Sequence, residues 1–189
     1  MTRSALFEAI RPFAPDKRFT TEHVAAIDAL ADGLGLPRAV ADAGNALTKA
    51  VALVKQFEGC KLTAYPDPGS GGDPWTIGWG ATGEGIRKGV TWTQAQADDR
   101  LQADVTKFAN AVNGLIGNAA TTDNQRAAMI SLAYNIGTGN LGSSTLLRKH
   151  KAGDYAGARA EFGRWDKAAG KVMAGLTRRR AAEAAVYAA

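Results

Sequence analysis

The stretch whose reading decides the fold is Glu58 to Gly80, EGCKLTAYPDPGSGGDPWTIGWG: a carboxylate closing a helix, a second carboxylate in a turn, then a hydroxyl on a strand. Upstream, Leu47, Val51 and Val54 recur at spacings of four and three, and Glu58 falls four residues further along the same stripe. The carboxyl therefore continues a core-facing side of the helix, and Gly59 stops it. Partial desolvation and the negative end of the helix dipole both disfavour a charged carboxylate in that place. Glu58 is a candidate general acid. Asp67 lies within Pro66-Asp67-Pro68-Gly69, a turn-forming run that leaves its carboxylate wetter and ionised. In Trp75-Thr76-Ile77-Gly78-Trp79-Gly80, period-two alternation puts Trp75, Ile77 and Trp79 on one face, the core side, and Thr76, Gly78 and Gly80 on the other. The second face is backbone plus one hydroxyl, which suits close approach by an extended ligand.

Working outward, 189 residues at 46% hydrophobic content suffice for one ordinary domain with an appendage. No run approaches the length of a membrane span, and the opening MTRSALFEAIRPF, interrupted by Arg3, Glu8 and Arg11, lacks the apolar centre of a secretory signal. Export, if needed, must come from elsewhere. Cys60 is the only cysteine, which excludes an internal disulfide, and it reads as a small buried hydrophobe. The net charge of +5 points to an acidic partner, whether nucleic acid, anionic lipid or a bacterial envelope surface.

Residues 1–44 read as a separate helical segment. A first helix near Ser4 to Arg11 ends at Pro12 and Pro15; a second, capped by Thr21, carries an apolar stripe at Val24, Ile27, Ala31 and Leu34. His23 has no metal-ligand spacing around it and reads as an ordinary helix residue. Asn45 is the expected cap of the helix leading to Glu58.

Beyond the strand, ATGEGIRKGVTW reads as loops with one more short strand, so the β component is a ribbon. Thr93-Gln94-Ala95-Gln96 matches a capping box, and a long helix follows to about Val112. Asp123 is the expected cap of the next helix, with Ala127, Ile130, Ala133 and Tyr134 on one side. Three shorter helices complete the chain: Thr145 to Ala152, Tyr155 to Trp165 after an Asp154 cap, and Thr177 to Tyr187. Everything after the ribbon is expected to be helical.

Several motifs fail on context. G-x-G-x-x-G occurs at Gly78, Gly80, Gly83 and again at Gly137, Gly139, Gly142, but neither has a βαβ unit around it. No G-x-S-x-G elbow is present, and His150, inside Arg148-Lys149-His150-Lys151, reads as solvated. Arg178, Arg179 and Arg180 fall in the expected first turn of the last helix, where the dipole opposes them, so either one or more pairs with a carboxylate or this end meets an anionic surface, and pairing of at least one is favoured.

These residues resemble the phage-type lysozymes, glycoside hydrolase family 24, also called endolysins or muramidases. The resemblance rests on Glu58-Gly59, Leu62, Ala64-Tyr65, Asp67 and Trp75 to Gly80, then on Ala133 to Gly137, Ser144 to Leu147, Phe162 with Trp165, Gly175-Leu176, Arg179-Arg180 and Glu183. It covers about Asn45 to Ala189, with 1–44 outside it as an accessory segment that packs or binds cell wall. It implies an α+β, lysozyme-like fold, with a small β-hairpin lobe, a larger mostly helical lobe and an active-site cleft between them. The implied reaction is hydrolysis of the β-1,4 bond between N-acetylmuramic acid and N-acetylglucosamine in peptidoglycan, with Glu58 as acid and Asp67, helped by Thr76, activating water. Tyr65, Gly78, Gly80 and Asn135 are the implied substrate contacts. No cofactor or metal is implied, the partner is peptidoglycan and not nucleic acid, the chain is expected to be a monomer, and access to the wall would depend on a holin. One feature departs from the pattern. The turn GSGGDP lengthens the connection from Asp67 to Thr76 and brings a second acid, Asp73, three residues before Thr76; the undisturbed spacing from Glu58 favours Asp67 as base. The rival readings are a lytic transglycosylase, needing Glu58 alone, and a non-catalytic basic envelope binder.

Overall fold

The computed structural model describes residues 6, 9–14, 20, 23, 26–27, 29–30, 33–34, 39–66 and 71–189. The chain divides into two compact units, Met1–Gly44 and Asn45–Ala189.

In the first unit, Arg11–Phe13 forms a 3-10 turn, as expected where Pro12 cannot supply an amide hydrogen to a longer helix. Thr20 and His23 exchange bonds: the Thr20 amide donates to His23 Nδ1 at 3.3 Å and the His23 amide donates to Thr20 Oγ1 at 3.2 Å. Thr21, the expected cap of the second helix, lies outside the described residues. Of its stripe, Ile27 is buried while Leu34 is 57% exposed.

The second unit carries the ribbon and the main core. Helix α1 spans Ala39–Phe57, so it starts well ahead of Asn45, the expected cap. The connector is rich in Ala, the best helix former, and helix simply continues through it. Ala46, Ala50, Leu53 and Val54 are buried, and Leu47 and Val51 pack at the core margin. The Glu58 amide takes the last helical bond, to Val54 O at 2.9 Å.

Strands β1 (Lys61–Tyr65) and β2 (Thr76–Gly78) pair antiparallel, Lys61 facing Gly78 and Tyr65 facing Thr76, with an irregularity between those pairs. The extra β1 residues there bend the ribbon. Ala64 N donates to Val90 O and Trp92 N to Leu62 O, both at 2.8 Å, so the chain around Thr91 joins the ribbon through a single bridge, Thr63 to Thr91, where a further short strand was anticipated. Ala64, Ile77, Ala81 and Ile86 form a small separate core beneath Trp75, Val90 and Trp92.

Helix α2 (Gln94–Ile116) starts from Thr93, whose capping box is complete: the hydroxyl accepts from Gln96 N, and the Gln96 side chain accepts from the Thr93 amide. The same box opens α3 (Asp123–Ile136) at Thr122 with Gln125, one residue before the expected Asp123 cap. Each box is worth about 1 kcal/mol. In α3 every residue from Ala127 to Ala133 is buried, not one stripe of it. A helix apolar on all sides belongs at a centre, and α2 and the C-terminal helix pack along it.

Short helices follow: α4 (Thr138–Gly142), α5 (Thr145–Lys151) capped by Ser144, and α6 (Tyr155–Glu161) capped by Asp154, with a 3-10 turn at Phe162–Trp165. The expectation of helix throughout this half needs correction. Strands β3 (Lys167–Ala168) and β4 (Lys171–Val172) form a second hairpin. Its turn residues Ala169 and Gly170 have φ of 48° and 77°, and without the usual Asn-Gly or Asp-Gly pair the turn leaves little trace in sequence. Helix α7 spans Ala174–Ala188 and begins earlier than Thr177. The arginines thus sit beyond its first turn, where the dipole penalty has faded.

Candidate active site

Glu58 stands at the end of α1 with its side chain 27% exposed. It lines a cleft of about 740 Å³ together with Asn135 from the end of α3, Ala168 of β3, Met173, and Leu176 and Arg178 of α7. The described wall thus comes from the helical lobe and the second hairpin. Tyr65, Thr76, Gly78 and Gly80 are not among its lining residues.

Glu58 is not the lone desolvated acid that its helix position suggests. Arg179 Nη1 donates to Glu58 Oε1 at 2.6 Å, a charge-assisted bond that fixes the direction of the carboxyl. Arg179 is 4% exposed and is held on its other edge: Nε donates to Glu183 Oε1 at 3.2 Å and Nη2 to the Ser131 carbonyl at 3.4 Å. Glu183 also accepts from Ser131 Oγ at 2.8 Å and from Arg180 Nη2 at 3.0 Å, and Arg180 Nε lies 2.8 Å from its second oxygen. Burial pushes the Glu183 carboxyl up and the Arg180 guanidinium down, and each opposes the other's shift. With two guanidiniums against one fully buried carboxylate, the ionised arrangement is the one in which all three groups have partners. The pairing expected of the arginine run is therefore present, made by Arg179 and Arg180.

Tyr134, next to Asn135, donates its hydroxyl to the Trp79 carbonyl at 3.0 Å. Burial first, then the negative charge of Glu58 and Asp104, pushes it up to about 12, so it remains a donor at neutral pH. Trp79 leaves the ribbon face on which alternation placed it. Strand β2 stops at Gly78, and the Trp79 ring packs against the helical core, its Nε1 donating to Asp98 at 2.7 Å.

The ribbon residues fare unevenly. Tyr65 and Thr76 are half-buried and face each other across the strand pair, with Lys61 Nζ 4.2 Å from the Tyr65 ring centroid. Gly80 is exposed with φ of 95° and no atom within 4 Å of a built Cβ. Gly78 does not present the bare backbone expected of it. It is buried, with φ of 65°, and a Cβ there would lie 3.1 Å from the Trp92 ring. Its missing side chain admits Trp92, not a ligand. Asp67 lies outside the described residues; Asp73 is exposed.

Two further expectations change. Cys60 is half-exposed, with Sγ 3.8 Å from the Gln94 side chain. His150 is 1% exposed, its Nε2 2.8 Å from Thr121 Oγ1 and its Nδ1 2.6 Å from the Tyr187 hydroxyl. Its basic neighbours face outward while the ring turns in. Among the described residues no cluster of His, Cys, Asp and Glu is arranged to hold a metal ion, and no helix is long and apolar enough to cross a membrane.

Sequence reasoning missed the pairing of Glu58 with Arg179 and the hold of Glu183 and Ser131 on that arginine. These residues come from elements far along the chain; the arginine run and Glu183 stood out in the sequence, but not their contact with Glu58.

The phage lysozyme family profile matches residues 55–183, a span that runs from the end of α1 to Glu183 and takes in both hairpins. An endolysin of Bacillus phage PZA is 41% identical over 137 residues, covering 72% of this chain and 52% of its own length. The chain thus spans about half of that relative. An endolysin of Acyrthosiphon pisum secondary endosymbiont phage 1 is 39% identical, covering 74% of this chain and 94% of its own length. Among solved structures, the muramidase domain of SpmX from Asticaccaulis excentricus superposes with a TM-score of 0.67 at 33% identity, over 74% of this chain and 95% of that domain. The endolysin from Escherichia coli O157:H7 phage FAHEc1 gives 0.65 at 36% identity, over 74% and 90%. With the profile covering most of the chain and the α+β architecture of these structures reproduced around Glu58, this chain belongs to the phage lysozyme family.

Proposed function

We propose that this chain hydrolyses the β-1,4 bond between N-acetylmuramic acid and N-acetylglucosamine in bacterial peptidoglycan. The observation that carries the reading is Glu58: a half-buried carboxyl on the wall of an open cleft, oriented by Arg179 and accompanied by Asn135. A cleft of about 740 Å³ has room for a segment of glycan chain. Glu58 protonates the glycosidic oxygen as the bond to the anomeric carbon breaks. Asp67 takes a proton from a water that adds to the other face of the ring, and Thr76 orients that water, so the new reducing end is inverted. Tyr65, Gly80 and Asn135 contact the sugars.

The substrate partner is the cell wall, reached through a membrane lesion made by a separate protein such as a holin, and the chain acts as a monomer. The net charge of +5 favours its adsorption to the anionic envelope. Residues 1–44 are accessory to catalysis.

Digestion of purified peptidoglycan tests this. New reducing ends of muramic acid are expected, and Glu58→Gln should abolish them while wall binding survives. An anhydro-muramic product would instead indicate a transglycosylase, and lysis retained by Glu58→Gln would indicate a non-catalytic envelope binder.

A further inference from the structure

Glu183 has no place in the reaction described above, yet it is a fully buried carboxylate that the fold holds at considerable cost. If its task were only to fill space in α7, an apolar side chain of similar volume would serve at least as well. Its contacts point elsewhere. Arg179 and Arg180 lie four and three residues before it on one face of α7, and its Oε1 receives Arg179 Nε, Arg180 Nη2 and the Ser131 hydroxyl. A guanidinium is a planar fork, so fixing one edge fixes the direction of the rest. With Nε on Glu183 and Nη2 on the Ser131 carbonyl, Nη1 is left aimed at Glu58 Oε1, 2.6 Å away.

We propose that Glu183 is a positioning residue for the acid step, acting through Arg179 on the orientation and charge environment of Glu58; the proposal rests on the muramidase reading. The carboxylate does two things. It locks the guanidinium that holds Glu58, and its negative charge offsets one of the two buried guanidiniums beside it. The titratable and charged groups around Glu58 are then Arg178 and Arg179 of α7, which line the same cleft, Arg180 behind them, and Tyr134 from α3 in its neutral form; Glu183 acts on it through Arg179. Removing the Glu183 charge leaves an uncompensated cation next to the general acid.

The test is the pH dependence of reducing-end release from purified peptidoglycan by full-length protein. For Glu183→Gln, kcat should fall about 10- to 100-fold with KM nearly unchanged. The alkaline limb of the profile should move to lower pH, because the added positive charge strips the proton from the acid earlier. The double variant Arg180→Gln/Glu183→Gln removes one charge of each sign and should return the limb to the wild-type position while kcat stays low. A merely structural Glu183 would lower activity in step with folded fraction and leave the limb in place, and that result overturns the proposal. If the Glu183 variants do not fold, Ser131→Ala decides: a smaller fall in kcat is expected, and wild-type kcat refutes the idea. Should the wild-type protein itself release no reducing ends, the muramidase reading fails, and the two failures are thereby distinguished.

Discussion

Trp79 and Asp98 tie the β-ribbon to the helical lobe: the indole Nε1 donates to Asp98 Oδ1 at 2.7 Å. Lys55 Nζ reaches the same oxygen at 2.9 Å and stands 5.2 Å from the indole centroid, while Tyr134 bonds the Trp79 carbonyl. Residues of α1, α2 and α3 thus converge on the first residue beyond β2.

This knot predicts a particular acid response. Lys55 first, then Trp79, holds the Asp98 carboxyl below the usual carboxylate range, against a smaller opposing effect of burial. A depressed acid contributes stability above its unfolded value, near 3.9, and loses it as pH falls through the lower folded value. Asp98→Asn should therefore lower the thermal midpoint at pH 6, and the gap to wild type should close as the pH falls through the depressed folded value. A gap that stays constant with pH would show that the contact is not charge-dependent.

His150 gives a pH dependence of the same sign in a higher window. Burial, then the charge of Arg126, holds it below its ordinary value. A histidine depressed in the folded state takes up its proton more readily when unfolded, so its contribution is complete above the unfolded value of about 6.5 and declines as pH falls from there. Urea midpoints should drop between about pH 7 and pH 5, and His150→Gln should remove that part of the slope. A slope retained in the variant would place its origin elsewhere.

Gly78 and Gly80 both have positive φ, 65° and 95°, but only Gly78 faces a ring. Alanine at either position meets backbone strain of about 1–2 kcal/mol. At Gly78 the new methyl also meets Trp92 at 3.1 Å, adding about 1–3 kcal/mol of overpacking. Gly78→Ala should be clearly the less stable variant in denaturant unfolding, and equal losses would mean that Trp92 moves aside freely.

What the sequence made legible was local. The end of α1 at Glu58, the Thr93 capping box and the ribbon follow from periodicity and turn residues a few positions apart, and each appears in the fold. What it hid was tertiary. Arg179 meets Glu58 across 121 residues, and His150 finds Thr121 and Tyr187 across 29 and 37, pairings that no local pattern encodes. Alternation put Trp79 on the ribbon core because it assumed that the strand went on; the strand stops one residue earlier, and the ring joins the helices instead.

The base of the reaction is the last point to test, and spacing frames the choice. Asp67 follows Glu58 with eight residues between them, while the turn GSGGDP sets Asp73 closer to Thr76 in sequence. Asp73 is exposed on the approach to β2, where Thr76 is paired with Tyr65. A base must reach a water on the ring face away from Glu58, and losing it forfeits roughly 100- to 10,000-fold in rate. Asp67→Ala should fall in that range, whereas Asp73→Ala should retain activity within about 3-fold, since a charge near the site but not on the water adds only a modest electrostatic effect. Initial rates of reducing-end release from purified peptidoglycan separate the two. Near-full activity in Asp67→Ala together with loss in Asp73→Ala would reassign the base to Asp73.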